Sequence, residues 1–188
     1  MSKISRDHAA PRRRLFLKGL ATLPLGLSFH ASHAAQHDRH LGFRHTHTNE
    51  RLQLVYRNGN GYIQPALQRM NWFFRDFRTG ESTRMDPRLY DLLHALSIAC
   101  GGDTFEIISG YRSPATNNAL RKTGGGGVAK RSLHMDGKAI DIRLVGVDTR
   151  RLRDAALALG AGGVGYYPNS DFVHIDTGPV RSWGPRAA

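Results

Sequence analysis

The apolar positions before Gly80 predict a short hairpin followed by a helix. Residues 51–56 alternate between apolar and polar side chains, and the turn sequence Asn-Gly-Asn-Gly follows at 58–61, which is typical of two strands joined by a tight turn. Pro65 suits the first turn of a helix. Apolar residues then recur at helical spacing, at Leu67, Met70, Phe73, Phe74 and Phe77. Thr79 and Gly80 are the expected end of this helix.

Further along the chain the pattern changes from helices to strands. Asp86 and Pro87 predict a second helix, because aspartate caps the first turn and proline fits its first position. Its apolar stripe is Leu89, Leu92, Leu93 and Leu96. Strands are predicted at 105–109, 138–144, 164–167 and 172–176, and helices at 117–122 and 149–159. Two helices followed by strands with helices between them favour one compact α+β domain, which is the fold class we predict.

The composition is that of a basic globular protein. The chain has 188 residues, a formal net charge of +12 and 40% hydrophobic residues, which supply one ordinary core and argue against a disordered chain. Cys100 is the only cysteine, and this excludes an internal disulfide framework and a multi-cysteine zinc ribbon. No apolar run approaches the roughly 20 residues of a membrane-spanning helix.

Residues 1–34 have the pattern of an export signal. Three arginines at 12–14 precede a modestly apolar stretch at 19–29, and small residues follow. Charged, apolar and small-residue parts in that order are typical of a leader that is removed on export. The string Arg-Arg-Leu-Phe-Leu-Lys at 13–18 resembles the twin-arginine motif, whose machinery carries folded proteins. We therefore expect a periplasmic protein; the alternative for this segment is a basic disordered tail.

A histidine-rich stretch separates this leader from the predicted domain. Six of the ten histidines lie between His30 and His47, with irregular spacing and no cysteine or acid pair to complete a tetrahedral metal site. We expect a solvated linker over 35–50 and the domain over 51–188. The first 34 residues hold six basic residues and one acidic residue, so their removal lowers the net charge from +12 to +7. The remaining charge suits a polyanion such as a carboxylate-bearing wall polymer. No nucleic-acid partner is expected, because no basic helix with interleaved aromatic residues is present.

Two histidines and one aspartate in the second half have the chemistry of a catalytic zinc site. Such a site takes three protein ligands, commonly histidines and a carboxylate, and leaves a fourth position open. His134 and Asp141 would face opposite sides of an unbroken strand, but Gly137 can supply a bend between them. His174 would come from a neighbouring strand. The residue chemistry alone leaves a metal site and three structural polar residues equally open.

The spacing of these residues resembles the zinc signature of the D-Ala-D-Ala metallopeptidases, a family grouped with lysostaphin and the hedgehog domain. The signature is carried here by Ser132-x-His134-x-x-Gly137-x-Ala139-x-Asp141, followed by His174. Residues 109–113 (Ser-Gly-Tyr-Arg-Ser) are similar to the arginine loop of the same family. Further motifs resemble its murein endopeptidase branch, at 61–64, 71–76, 162–168 and 172–179. The resemblance runs from about Leu52 to Trp183 and implies a hedgehog-like α+β domain whose antiparallel sheet carries the zinc site.

The resemblance implies an exported zinc endopeptidase that cuts peptide cross-links of peptidoglycan, with links between two diaminopimelate residues as the preferred bond. His134, Asp141 and His174 are then the ligands of Zn²⁺. The metal would lower the pKa of bound water to about 7 and polarise the scissile carbonyl. Arg112 would hydrogen-bond the substrate carbonyl or the developing oxyanion, since its planar, permanently charged side chain suits that role.

Two aspartates remain as candidates for the general base. Many members of the family carry an acid three residues before the last zinc histidine, and we rank the residue at that position, Asp171, first. In the murein endopeptidase branch the position need not be acidic. Asp176 lies two residues after His174, so the two side chains share a face of a regular strand. Asp176 would then orient that histidine or take the proton itself.

Other functions are compatible with the same residues. One is a D,D-endopeptidase or D,D-carboxypeptidase that acts on D-Ala bonds. Another is a non-catalytic wall-binding module, although a degenerate copy would be expected to lose a ligand or the arginine. A nucleic-acid binder is disfavoured by the export signal. We expect a monomer whose partners are cross-linked stem peptides, with no stable membrane span once the leader is removed.

Overall fold

The computed structural model describes residues 38–123 and 128–185, and its centre is an eight-stranded sheet. The strands are β1 (Arg39–His45), β2 (Arg51–Asn58), β3 (Gly61–Tyr62), β4 (Thr104–Ser109), β5 (Ala139–Leu144), β6 (Gly163–Tyr167), β7 (Phe172–Asp176) and β8 (Arg181–Trp183). The helices are α1 (Gln64–Phe73), α2 (Arg88–Cys100), α3 (Pro114–Thr123) and α4 (Thr149–Leu159). Two short 3₁₀ turns, Leu133–Asp136 and Pro168–Ser170, precede β5 and β7.

The sheet is mixed rather than antiparallel throughout. Its strand order is β3-β2-β1-β4-β5-β7-β6-β8. The pairs β1–β4 and β6–β8 are parallel, and this corrects the expectation of a purely antiparallel sheet. The central run β4-β5-β7-β6 is antiparallel, as expected. The α+β class is confirmed.

The core lies between the sheet and the helices α1, α2 and α4. Side chains alternate across a strand, so Ile140 and Ile142 of β5 point into this core while Asp141 between them faces the other side. Phe43 of β1 packs edge-on against Phe74, with ring centroids 5.0 Å apart. The polar face of β5 and β7 is therefore presented on a rigid, fully packed sheet.

The expected linker over 35–50 is not solvated throughout. Arg39–His45 forms β1 inside the sheet, and Leu41, Phe43 and His45 are buried. His45 Nδ1 accepts the backbone N–H groups of His47 and Thr48. Burial lowers the pKa of His45 to about 4, so the ring is neutral at physiological pH. This histidine is a core residue, and the histidine-rich pattern concealed a strand.

Most predicted elements are confirmed, although α1 is shorter than predicted, α3 begins at Pro114 rather than at 117, and one strand was not predicted. The helix expected up to Gly80 ends at Phe73, because Phe74 leaves the helical conformation and the chain turns around Asp76. The terminal strand β8 was not predicted, since three residues are too few to show a period. The leader and the glycine loop at 124–127 lie outside the described residues. No helix in the described part is long and apolar enough to cross a membrane.

Candidate metal centre

Adjacent strands and one turn place the three predicted ligands together. Asp141 of β5 stands directly opposite His174 of β7 in the antiparallel register, so the two side chains share one face. His134 lies in the 3₁₀ turn that leads into β5. Gly137 ends this turn in the left-handed conformation, at φ 64°. A side chain at that position would also collide with the backbone of Arg84, so the predicted bend requires glycine.

The three side chains converge at one point and are buried. His174 Nδ1 lies 2.8 Å from Asp141 Oδ1, and His134 Nε2 lies 3.1 Å from His174 Nδ1. The distance from His134 Nε2 to Asp141 Oδ1 is 3.3 Å. Ligand atoms around a tetrahedral zinc ion with bonds of about 2.0–2.1 Å are separated by about 3.3 Å. The spacing of the three atoms is therefore close to what zinc requires.

In each histidine, the outer ring nitrogen, which points away from the other two converging side chains, already has a hydrogen-bond partner. His134 Nδ1 lies 2.7 Å from the carbonyl oxygen of Gly110, which can only accept a hydrogen bond. His174 Nε2 lies 3.1 Å from Asp176 Oδ2, also an acceptor. Each neutral imidazole therefore carries its proton on the outer nitrogen. Two nitrogen lone pairs and a carboxylate then face one another.

Three acceptors in contact repel one another unless a metal ion or a proton lies between them. Asp141 and Asp176 raise the pKa of His174 in spite of its burial, so a proton on the inner nitrogen of that ring takes this place until a metal displaces it. Burial would raise the pKa of Asp141, but the His134 and His174 imidazoles outweigh this effect and hold it well below its ordinary value. Burial lowers the pKa of His134, which favours its neutral form. A deprotonated carboxylate with neutral imidazoles is the donor set that zinc binds. The residues present thus fit the metal implied by the signature.

Asp176 contacts the Nε2 side of the His174 ring, which faces away from His134 and Asp141. Its side chain is fully buried, with 0% exposure. The carboxylate accepts the backbone N–H groups of Gly163 and Gly178 and both terminal nitrogens of Arg181. Burial raises its pKa, but the histidine, the arginine and the two amides outweigh this and leave the pKa well below its ordinary value. This arrangement holds a charged carboxylate in one orientation against the His174 ring.

Arg112 lies beside the three converging side chains with its hydrogen-bonding capacity largely unused. Its Nη2 is 3.6 Å from Asp141 Oδ2, too long for a hydrogen bond. The side chain is only 12% exposed, and Nε is buried with no hydrogen-bond partner among the described residues. A buried guanidinium with free donors is suited to receive an oxygen atom from a bound molecule.

Asp171 is placed apart from this cluster. It lies in the turn before β7 in the left-handed conformation, at φ 50°, and its side chain is 60% exposed. One carboxylate oxygen accepts the Thr149 hydroxyl at 2.9 Å, and the other lies 3.5 Å from Arg143. The structure therefore brings Asp176, but not Asp171, into contact with a predicted ligand.

The cluster opens into a cavity of about 500 Å³ with two unlike walls. Tyr167, Phe172 and Trp183 form an aromatic side, and Arg112 and Arg131 lie among the polar lining residues. Trp183 donates to the Tyr167 hydroxyl at 2.8 Å, and its ring centre lies 5.1 Å from that of His174. No spacing along the sequence assigns these aromatic residues to the site, because they come from the ends of three separate strands.

Comparison with known proteins agrees with this geometry. A family model described as peptidoglycan L,D-endopeptidase MepK matches residues 33–183. The peptidoglycan L,D-endopeptidase MepK of Escherichia coli K12 is 43% identical over 178 residues, which cover 93% of this chain and 97% of that protein. A probable MepK of Haemophilus influenzae is 42% identical over 147 residues, covering 77% of this chain and 78% of the relative. The predicted resemblance to the D-Ala-D-Ala metallopeptidases, and within them to the murein endopeptidases, is confirmed.

Proposed function

The chain belongs to the peptidoglycan L,D-endopeptidase MepK family, and on that premise we propose that it is a zinc-dependent endopeptidase that hydrolyses peptide cross-links of peptidoglycan. One observation carries the proposal: ring nitrogens of two histidines and a carboxylate oxygen meet in a buried cluster that lines an open cavity. Three ligands beside an accessible space are typical of a catalytic rather than a structural zinc site.

The roles of the residues follow from their contacts. His134, Asp141 and His174 would hold zinc, which when bound supplies Lewis-acid chemistry that acidifies a water and polarises a carbonyl. Arg112 would donate to the oxygen of the scissile carbonyl, and its attraction for that atom grows as negative charge develops there. Burial of the guanidinium strengthens this interaction, because little water competes for its donors.

The outer contacts keep the histidines in the orientation that metal binding needs. The Gly110 carbonyl holds the proton of His134 on Nδ1, and Asp176 holds that of His174 on Nε2. We assign Asp176 a positioning role, since its four further hydrogen bonds leave it no freedom to approach a substrate. Asp171, our first-ranked base, would have to leave Thr149 before it could take a proton in the cavity.

The substrate proposal combines the cavity with the family. Arg112 and Arg131 favour a substrate with carboxylates, and the aromatic wall offers contact area for an extended peptide. Cross-linked stem peptides have both properties. We propose links between two diaminopimelate residues as the bond that is cut. We also propose a hedgehog-like arrangement of the domain, twin-arginine export to the periplasm, and action as a monomer.

Matched asparagine variants distinguish the roles of Asp176 and Asp171. Asp176→Asn is expected to weaken zinc affinity about 10- to 100-fold, because the His174 ring loses its charged partner. Asp171→Asn is expected to keep full zinc affinity and to change turnover by less than about three-fold. Zinc titration against a competing chelator and steady-state rates measure both effects. A loss of about 100-fold or more in Asp171→Asn with zinc retained would identify Asp171 as the general base.

The bond that is cut is tested with the full-length protein on purified muropeptide dimers, with products read by mass spectrometry. We expect the dimer joined through two diaminopimelate residues to give monomers, a chelator to stop the reaction, and added zinc to restore it. Cleavage restricted to D-Ala-linked dimers would keep the metal site and overturn the bond assignment. Zinc binding without cleavage of either dimer would favour a wall-binding module.

A further inference from the structure

A buried aspartate outside the metal cluster holds the loop that carries Arg112. Asp76 lies just beyond the end of α1 and is 1% exposed. Its Oδ2 accepts the backbone N–H of Ser113 at 2.9 Å, and its Oδ1 accepts that of Arg78 at 3.0 Å. The carboxylate is therefore a buried acceptor whose donors come from two separate loops.

The same loop is anchored on its other side by the backbone of Phe74. The Tyr111 N–H donates to the Phe74 carbonyl at 2.7 Å. Gly110 packs so closely there that a Cβ would lie 2.6 Å from the same oxygen. Arg112 thus stands between two residues whose amide groups are both fixed to the segment after α1. Its own N–H donates to the carbonyl of His134 at 3.2 Å, which links the loop to a proposed metal ligand.

We infer that Asp76 is a positioning residue for the proposed reaction, which sets the place of Arg112 by holding the Ser113 amide. This inference rests on the proposed role of Arg112. Without the anchor on Ser113, the segment after Arg112 is held by α3, where the Ser113 hydroxyl accepts the Thr116 N–H and the Ser113 carbonyl accepts the Asn117 N–H. A guanidinium that drifts by about 1 Å from a developing charge can cost about 100-fold in rate.

Asparagine is the smallest change that tests this contact. In Asp76→Asn one carboxylate oxygen becomes an NH₂ group, so either the Ser113 or the Arg78 amide faces a donor instead of an acceptor. Asp76→Ser is the second variant: its side chain is too short to reach Ser113, and its hydroxyl can rotate to donate or to accept. Asp76→Ser therefore removes the anchor outright, whereas Asp76→Asn removes it only where the NH₂ group rather than the oxygen faces Ser113.

The matched control is Asp91 at the far end of the sheet. Its carboxylate also accepts four donors, from Arg39, Arg57, Tyr56 and Tyr62. It ties α2 to β1, β2 and β3, and β4 separates these strands from the β5–β7 pair. Asp91→Asn should therefore lower the free energy of unfolding without altering the rate per folded molecule.

A double-mutant cycle in the full chain decides the inference, with the diaminopimelate-linked muropeptide dimer as substrate. Asp76→Ser is expected to lower kcat about 10- to 100-fold with zinc content unchanged, and Asp76→Asn to lower it by no more than that. In an Arg112→Ala background either change should lower kcat by less than about two-fold further, because the residue it positions is already gone. Equal losses in both backgrounds, or a normal kcat in Asp76→Ser, would overturn it.

A measurement without substrate separates this inference from the proposed function. Amide hydrogen exchange should accelerate at Ser113 and Arg112 in Asp76→Ser and stay unchanged there in Asp91→Asn. Unchanged protection at Ser113 would refute the anchoring role of Asp76. A normal kcat in Arg112→Ala would instead refute the proposed role of Arg112, and with it the catalytic part of the inference, whatever the exchange shows.

Discussion

Replacement of His174 or His134 by alanine is expected to abolish zinc retention and hydrolysis together. Each imidazole provides one of the three converging ligand atoms found among the described residues, and both rings are buried. Loss of one ligand leaves a histidine and an aspartate, a set too small for a stable site. Metal content after dialysis and the rate on the muropeptide dimer measure the two losses in one preparation.

His40→Ala is the matched control for these variants. His40 is an exposed histidine of β1, so its removal deletes an imidazole without touching the cluster. We expect this variant to keep one equivalent of zinc and full activity. Hydrolysis by a metal-free His174→Ala protein would show that the three converging residues are not the site of the reaction.

Arg112→Ala is expected to keep zinc and to lower kcat by about 100- to 1,000-fold. The magnitude is that of removing one donor to a developing oxyanion, which contributes more in the transition state than in substrate binding. The retained metal distinguishes this variant from the histidine variants. KM is expected to change far less than kcat.

Arg112→Lys provides the control for charge alone. Lysine keeps the positive charge but lacks the planar fork, so partial recovery of kcat would separate electrostatics from hydrogen-bond geometry. Normal turnover in Arg112→Ala would remove this residue from the mechanism while leaving the zinc site in place.

The sequence predicted best those elements whose side-chain period matches their burial. β5, β7 and α4 were predicted to within a residue, because each has a clear alternation or repeat of apolar side chains in the sequence. β1 was missed because four of its seven residues are arginine or histidine, which hides the buried Leu41 and Phe43. Whether such a segment forms a strand depends on its position in the sheet and on its neighbouring strands, and a local sequence pattern shows neither.

The three candidate ligands of the site could be predicted from the sequence, but the positions of the residues around them were harder to predict. His134, Asp141 and His174 were identified together, and the structure brings them into contact. Asp171 shows the limit of residue counting: a left-handed turn aims its carboxylate at Thr149 rather than into the cavity. The partners of Asp76 come from residues up to 37 positions away, and only the folded chain brings them together.

The residues that form the cluster of His134, Asp141 and His174, and those that hold it, follow a definite order along the polypeptide. The three ligands all follow residue 133, and Arg181, which holds Asp176 behind His174, belongs to the last strand. A ribosome makes the chain from its N-terminus, so the sheet from β1 to β4 and the Arg112 loop exist before any ligand is made. The cluster can form only after His174 has been made. A nascent chain that ends before His174 therefore lacks one of the three proposed ligands.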